Sequence, residues 1–194
     1  MKKENLKLLY NPFQRVAGLT ALLWGVSGLA VSTLLSYWSG WHYHGLLHFG
    51  PAPNPALWCF AAEHAVVWLI LAIIFYLGGL LLSKSKIRAV DLFGTTAFAL
   101  LPMIGLNLIY ALPPAKSMLD PAMAACSVQP LAQSGAKPGL WLIFLGIPFL
   151  AWALAWLYFA LKVSCNLKGF RLISLYCIGI FGGDIICRLI IKMF

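Results

Sequence analysis

Glu63 and Asp184 are acidic residues in the middle of long apolar runs. Glu63 lies in Ala56-Leu-Trp-Cys-Phe-Ala-Ala-Glu-His-Ala-Val-Val-Trp, and Asp184 lies in Ile178-Gly-Ile-Phe-Gly-Gly-Asp-Ile-Ile-Cys-Arg. The whole chain has only 5 acidic residues. A charged group in hydrocarbon costs at least about 2.5 kcal/mol, so it is normally paired or faces protein or water. These two side chains are therefore the first candidates for a functional site.

Polar residues near these acids extend the candidate site. Asp184 precedes Arg188 by four residues, a helical spacing that places acid and base on one face in the favourable order. Glu63 would also reach Arg188 if the second and fifth helices were neighbours. Two roles are equally compatible with such a cluster: a binding or transport site, or a buried network that only fixes helix packing. The predicted intramembrane polar pocket consists of Glu63, His64, Asn107, Asp184 and Arg188.

The four histidines of the chain suggest a metal site as a further hypothesis. With Glu63 they could supply nitrogen and oxygen ligands to zinc or another divalent cation. Their spacing matches no strong metal-binding motif such as H-E-x-x-H. The alternative is an interfacial belt, in which amphipathic rings settle at the membrane surface. The candidate metal ligands are His42, His44, His48, Glu63 and His64.

The composition indicates an integral membrane protein. The 194 residues are 62% hydrophobic and 10% charged, and the mean hydropathy is +0.88. Soluble domains are nearer to half apolar and about one quarter charged. The 14 basic residues are scattered over short connections and form no stripe, which argues against nucleic acid as a partner. The lipid bilayer is the partner that the composition does predict.

Five apolar runs are long enough to cross a bilayer as helices, which takes about 20 residues each. Dividing the second run at Gly78-Gly79 would give six spans, but each half would be too short. The sequence therefore predicts an all-α five-helix transmembrane bundle in a single domain over residues 1–194. The predicted spans are about 16–38, 56–83, 90–112, 139–163 and 172–191.

The basic residues also predict the orientation. Ten of them fall in the N-terminal tail and in the connections after the second and fourth spans, and four fall on the opposite side. The positive-inside rule then places the N-terminus in the cytoplasm and the C-terminus outside. At about 1.5 Å per residue, all members of the predicted polar pocket lie in the outer half of the bilayer.

Prolines and small residues predict features of the helices themselves. Pro102 and Pro148 fall near the middle of the third and fourth spans and are expected to interrupt them. Broken helices occur at transporter sites, although proline is also tolerated where neighbouring groups satisfy the freed carbonyl. Small residues on one face permit close helix contacts. These are Gly28, Ser32 and Ser36 in the first span and Gly179 and Gly183 in the fifth.

Several stretches resemble the Ypt-interacting protein (Yip) family of small five-span membrane proteins. They are Asn11-Pro-Phe before the first span, Lys86-Ile-Arg-Ala-Val-Asp-Leu-Phe-Gly at the third, Ala99-Leu-Leu-Pro102 within it, and the basic link 161–171 before the last. The bacterial branch is the more similar, because the long cytoplasmic N-terminal domain of eukaryotic members is missing here. The resemblance implies five spans in the cell (inner) membrane with a cytoplasmic N-terminus, and it implies no catalytic residues.

The sequence leads to three functional hypotheses. The first is a non-enzymatic protein that organises the membrane or binds a membrane-protein partner, or a second copy of itself, next to an outward-facing polar pocket. The second is a small ion or solute transporter or channel that uses Glu63 and Asp184 as titratable groups. The third is a metal-dependent membrane enzyme. The chain contains no nucleophile elbow, P-loop or dinucleotide motif, which makes an enzyme the weaker class.

Overall fold

The computed structural model describes residues 10–50, 56–116 and 137–193. Within them, five helical segments are long and apolar enough to cross a membrane, which confirms the predicted helical bundle. The largest difference from a predicted boundary is at the fifth span, which begins at Gly169 rather than Leu172. We call the end of the bundle where the first span ends the outer end, after the predicted orientation. The five spans are Gly18–Ser39, Leu57–Leu82, Ala89–Tyr110, Gly139–Ser164 and Gly169–Ile191.

The third and fifth spans are each built from more than one helix, and a small hairpin lies between the first two spans in the chain. The fifth span contains a π-helical turn, which the sequence analysis did not predict. The elements in chain order are a 3-10 turn Pro12–Gln14, α1 Gly18–Ser39, β1 His42–Tyr43, β2 Phe49–Gly50, α2 Leu57–Leu82, α3 Ala89–Ala99, α4 Met103–Tyr110, α5 Pro113–Lys116, α6 Lys137–Ser164, α7 Gly169–Cys177, the π-helical turn Ile178–Gly182, and α8 Gly183–Ile191.

The third span lies at the centre of the bundle. In its apolar window 61% of residues are buried, against 33% or less in the other spans. Helix α3 packs on α1, α2 and α6. Its approach to α1 requires glycine on both sides: a Cβ at Gly25 would lie 2.5 Å from Cβ of Ala97, and one at Gly94 would lie 2.6 Å from the carbonyl oxygen of Gly18. Close backbone contact of this kind holds helices together in lipid.

The two prolines behave differently from each other. At Pro102 the third span breaks between α3 and α4, and the chain passes through tight turns in which Met103 N–H donates to Leu100 O at 2.9 Å. Pro148 lies inside the continuous helix α6, so the expected interruption of the fourth span was wrong. Membrane helices accommodate proline by local adjustment, and the two sites show both outcomes.

The small residues of the predicted packing faces make contacts within the chain. A Cβ at Gly28 would overlap Leu101 of the third span, and one at Gly179 would overlap the ring of Phe75 in α2. A Cβ at Gly183 would lie 3.1 Å from Leu71. These glycines therefore serve the packing of the first span on the third and of the fifth span on the second.

Residues 40–50, which we call the outer loop, fold back into the bundle. Gly40 ends α1 in a left-handed conformation (φ 79°), and its N–H donates to Ser36 O at 2.8 Å. Strands β1 and β2 then form an antiparallel pair in which His42 lies opposite Gly50 and Tyr43 opposite Phe49. Trp41, His42, Tyr43 and Leu46 of this loop are buried. Of the second outer connection, predicted over 113–138, residues 117–136 lie outside the described part of the chain.

Candidate functional site

Glu63 is satisfied by the outer loop. Its side chain projects from the second turn of α2 and is only 3% exposed. One carboxylate oxygen lies 2.7 Å from Nδ1 of His42, and the other accepts the backbone N–H of Tyr43 at 2.8 Å. The imidazole of His42 also stacks on Phe60, with ring centroids 4.0 Å apart. A buried carboxylate with both oxygens engaged avoids the cost of an unsatisfied charge.

Asp184 is satisfied in the same way by the other end of the loop. It is the second residue of α8, immediately after the π-helical turn, and is also 3% exposed. One of its oxygens accepts the backbone N–H of Leu47 at 2.9 Å, and the other lies 2.9 Å from Nδ1 of His48. Each acid thus contacts one imidazole and the backbone N–H of the residue next to that histidine in sequence.

The predicted ion pair between Asp184 and Arg188 is present. Nε of Arg188 lies 3.4 Å from the carboxylate, at the expected spacing of four residues. The second and fifth spans are neighbours, but the polar partners of Glu63 among the described residues are His42 and Tyr43 rather than Arg188. The outer loop, rather than another helix, supplies the partners of Glu63.

The turn of the outer loop fits closely over Asp184. The backbone N–H of His44 donates to the carbonyl of His48 at 2.9 Å, which closes the turn. A Cβ at Gly45 would lie only 2.5 Å from Oδ1 of Asp184. A side chain at position 45 would therefore push the loop away from the acid, and glycine permits the contact.

Tyr43 connects the loop to two further spans. Its hydroxyl donates to Oδ1 of Asn107 at 2.8 Å, and the Asn107 amide donates to Ser32 O at 3.5 Å. Burial raises the pKa of Tyr43 above its ordinary value, so the phenol remains a neutral donor. The outer loop is thereby bonded to the second, third and fifth spans, and through Asn107 to the first.

His64 lies beside this network without joining it. Its Nδ1 donates to Phe60 O at 2.8 Å, one helical turn earlier, and its ring lies 4.3 Å from that of Tyr43. Its Nε2 is buried and has no hydrogen-bond partner in the described part of the chain. His64 lines a small cavity of about 10 Å³, which is about enough for one water molecule. It is lined by Leu29, Ser32, Tyr43, Leu46, His64, Val67, Leu100 and Met103.

The candidate metal ligands are distributed among separate contacts. His42 pairs with Glu63, His48 pairs with Asp184, and His64 bonds a backbone carbonyl. Among the residues that the structure describes, no three His, Cys, Asp or Glu side chains are grouped as metal ligands. The zinc site stays a prediction from composition alone. Chemically, the contacts of the two acids with His42 and His48 hold the outer loop against the bundle.

The acids and the histidines can be recognised in the sequence, but the loop that joins them cannot. The sequence predicts a pocket open to the outside, and in the structure Tyr43 and Leu46 of the outer loop are buried, as are both acids. Two of the donors to the acids are the backbone N–H groups of Tyr43 and Leu47. A backbone donor cannot be recognised from residue type. The available signal was composition: residues 41–50 are unusually apolar and aromatic for a surface connection.

No protein-family model, no curated protein and no solved structure matches this chain, so its function is inferred from the geometry of the outer loop and its two acids.

Proposed function

We propose that this chain is a non-enzymatic multi-pass protein of the Yip family in the inner membrane, with a cytoplasmic N-terminus and an external C-terminus. It binds a membrane partner or organises the membrane through a fixed outer surface. The observation that carries the proposal is the fastening of one short loop by both intramembrane acids. The cost of burying two carboxylates is offset by their hydrogen bonds to the loop, and the same bonds hold the loop in one conformation.

A fixed loop is favourable for recognition because binding then requires little ordering of the surface. Parts of this loop remain available to a partner: the side chain of His48 is 49% exposed. Arg188, beside the same acid, is 40% exposed. A partner bound here would contact the hydrogen-bonding and basic side chains of His48 and Arg188. Both are held in position by their contacts with the buried Asp184.

The proposal is tested by photo-crosslinking in intact cells. A photoreactive residue in place of Leu47 keeps the backbone N–H that contacts Asp184, and its side chain is partly exposed. We expect a discrete protein adduct that disappears when Glu63→Gln and Asp184→Asn release the loop. The matched control is a photoreactive residue at Leu81, which is 85% exposed at the other end of α2 and should not give the same adduct. Absence of any protein adduct at position 47 would refute partner binding at the loop.

Transport of a small ion or solute is the second candidate function. Each intramembrane acid contacts an imidazole, so both contacts join two groups that can exchange protons. The third span is also broken at Pro102, as helices at transporter sites often are. The hypothesis predicts proton or ion flux into liposomes that contain the purified protein, with a clear decrease in Glu63→Gln. Flux equal to that of empty liposomes would exclude it.

A further inference from the structure

A groove lies at the end of the bundle opposite the outer loop, where two short connections meet. The connection after α2 contains Ser85, and the connection before α7 contains Asn166, whose amide donates to the Ser85 hydroxyl at 3.1 Å. The guanidinium of Arg171 donates to Leu82 O at 3.5 Å. These contacts hold the two connections together around an open groove of about 590 Å³.

The groove is basic, and the described residues that line it include no acid. Lys84, Lys168 and Arg171 line it, together with the hydroxyl and amide groups of the two connections. Among the described residues, the acid at this end of the bundle is Asp91, and it lies 3.7 Å from Arg88. The three cations of the groove therefore have no acidic partner in the described part of the chain. A concave surface of this charge attracts an anion.

The start of α7 adds to the positive potential. Lys168 precedes the helix in an extended conformation, no side chain caps the helix, and its first turn has no acidic residue. The first N–H groups of a helix carry a partial positive charge and bind phosphate oxygens well. Phe170 and Arg171, in that first turn, line the groove, so this helix end borders it directly.

The groove lies at the border between apolar and polar structure, which favours an anion that also has apolar chains. The second span ends at Leu82 and the fifth begins at Gly169, so the groove lies where apolar helix gives way to polar connection. Leu81 and Phe170 are 85% and 84% exposed next to it. Cations at this level face lipid headgroups, while exposed apolar side chains on the membrane side face acyl chains.

We propose that this groove binds the phosphate group of an anionic phospholipid. Lys84, Lys168 and Arg171 contact the phosphate oxygens, and the N-terminus of α7 contributes backbone N–H groups. Phe170 and Leu81 pack against the acyl chains. The site is independent of the outer loop and of the function proposed for it.

The test uses the full-length protein purified in a mild detergent and native mass spectrometry with equal amounts of phosphatidylglycerol and phosphatidylcholine. We expect bound phosphatidylglycerol to exceed phosphatidylcholine by about tenfold, since each basic residue near a membrane surface contributes several-fold in affinity. Lys168→Gln combined with Arg171→Gln should bring the two lipids close to equality. Equal binding of both lipids to the unmodified protein would overturn the proposal, whatever the variants do.

The matched control removes the same number of charges elsewhere. Arg15 and Lys192 are exposed and do not line the groove, so Arg15→Gln combined with Lys192→Gln should retain the preference. An equal loss in the control would indicate general charge attraction and refute a site. If the groove variant does not fold, Lys84→Gln on the exposed connection replaces it, with a several-fold decrease expected. Inorganic phosphate that stabilises the protein as much as the lipid does would also refute a lipid site.

Discussion

Each buried acid in this protein receives one imidazole nitrogen and one backbone N–H from adjacent loop residues. Tyr43 and His42 serve Glu63, and Leu47 and His48 serve Asp184. Hydrogen bonds to a charged group are about twice as strong as neutral ones, and their loss leaves a buried group unsatisfied. We therefore expect the stability of the protein to depend strongly on these two carboxylates.

Replacement of Glu63 by glutamine tests this dependence directly. Glu63→Gln keeps the size of the side chain but replaces one carboxylate oxygen by an NH2 group, which cannot accept from either His42 or Tyr43. We expect the free energy of unfolding in detergent to fall by about 1–3 kcal/mol. Asp91→Asn, which alters the more exposed pair with Arg88, should change it by about 1 kcal/mol or less. Equal effects of the two changes would mean that the contacts of Glu63 do not hold the loop.

The hydroxyl of Tyr43 gives a pH-dependent prediction. Tyr43→Phe removes the hydrogen bond to Asn107 and should cost about 1–3 kcal/mol near neutral pH. Because burial raises the pKa of Tyr43, the unfolded chain ionises this phenol at lower pH than the folded protein does. Its stabilising effect is complete below about pH 10 and decreases above it. The difference in stability between wild type and Tyr43→Phe should thus stay constant up to about pH 10 and narrow above it, and a difference that stays constant above about pH 10 would contradict this.

At the scale of elements, the outer loop behaves as a structural part of the bundle rather than as a flexible connection. Its aromatic residues are buried, and it bonds to three spans directly. The break at Pro102 and the π-helical turn in the fifth span precede the two helices, α4 and α8, that carry Asn107 and Asp184. Irregular turns inside membrane helices thus lie next to the residues that receive the loop.

Gly45→Ala tests the close fit of the loop over the fifth span. The added methyl group would lie 2.5 Å from Asp184, so the turn must move outward. We expect faster hydrogen exchange at the amides of residues 43–48, measured by mass spectrometry. Gly182→Ala is the matched control, because a Cβ there meets no atom within 4 Å and should leave exchange in the loop unchanged. Unchanged exchange in both variants would show that the turn tolerates a side chain.

At the scale of the whole molecule, polar structure is concentrated at the two ends of an apolar bundle. The outer end holds the acids and their loop, and the opposite end holds the basic groove. In the orientation that we propose from the positive-inside rule, the groove would face the cytoplasm, where anionic headgroups are available to it, and the outer loop would face away from the cytoplasm.

The orientation predicts which engineered cysteines react from outside the cell. A membrane-impermeant thiol reagent should label Lys192→Cys in intact cells, and it should label Lys84→Cys only after the membrane is opened. Both positions are exposed, and unmodified protein controls for the native cysteines. The reverse pattern would invert the proposed topology.

The helical spans could be predicted from sequence because they depend on local composition. A run of about 20 apolar residues forms a helix in lipid wherever its neighbours lie, since its backbone groups bond within the segment. Counting along those helices also places Glu63, Asn107 and Asp184 near one end of the bundle. Pro102 and Pro148 have the same local signal, and only packing decides that one breaks its span and the other does not.

The amino-acid sequence is enough to predict five helices that are long and apolar enough to cross a membrane, and two acids within them that need partners. Which groups serve as those partners depends on the tertiary structure. The N–H of Leu47 reaches Asp184 across 137 residues of chain, and every non-proline residue offers the same donor. Which amide is used depends on how the outer loop packs between helices, because that packing brings these distant groups within hydrogen-bonding distance.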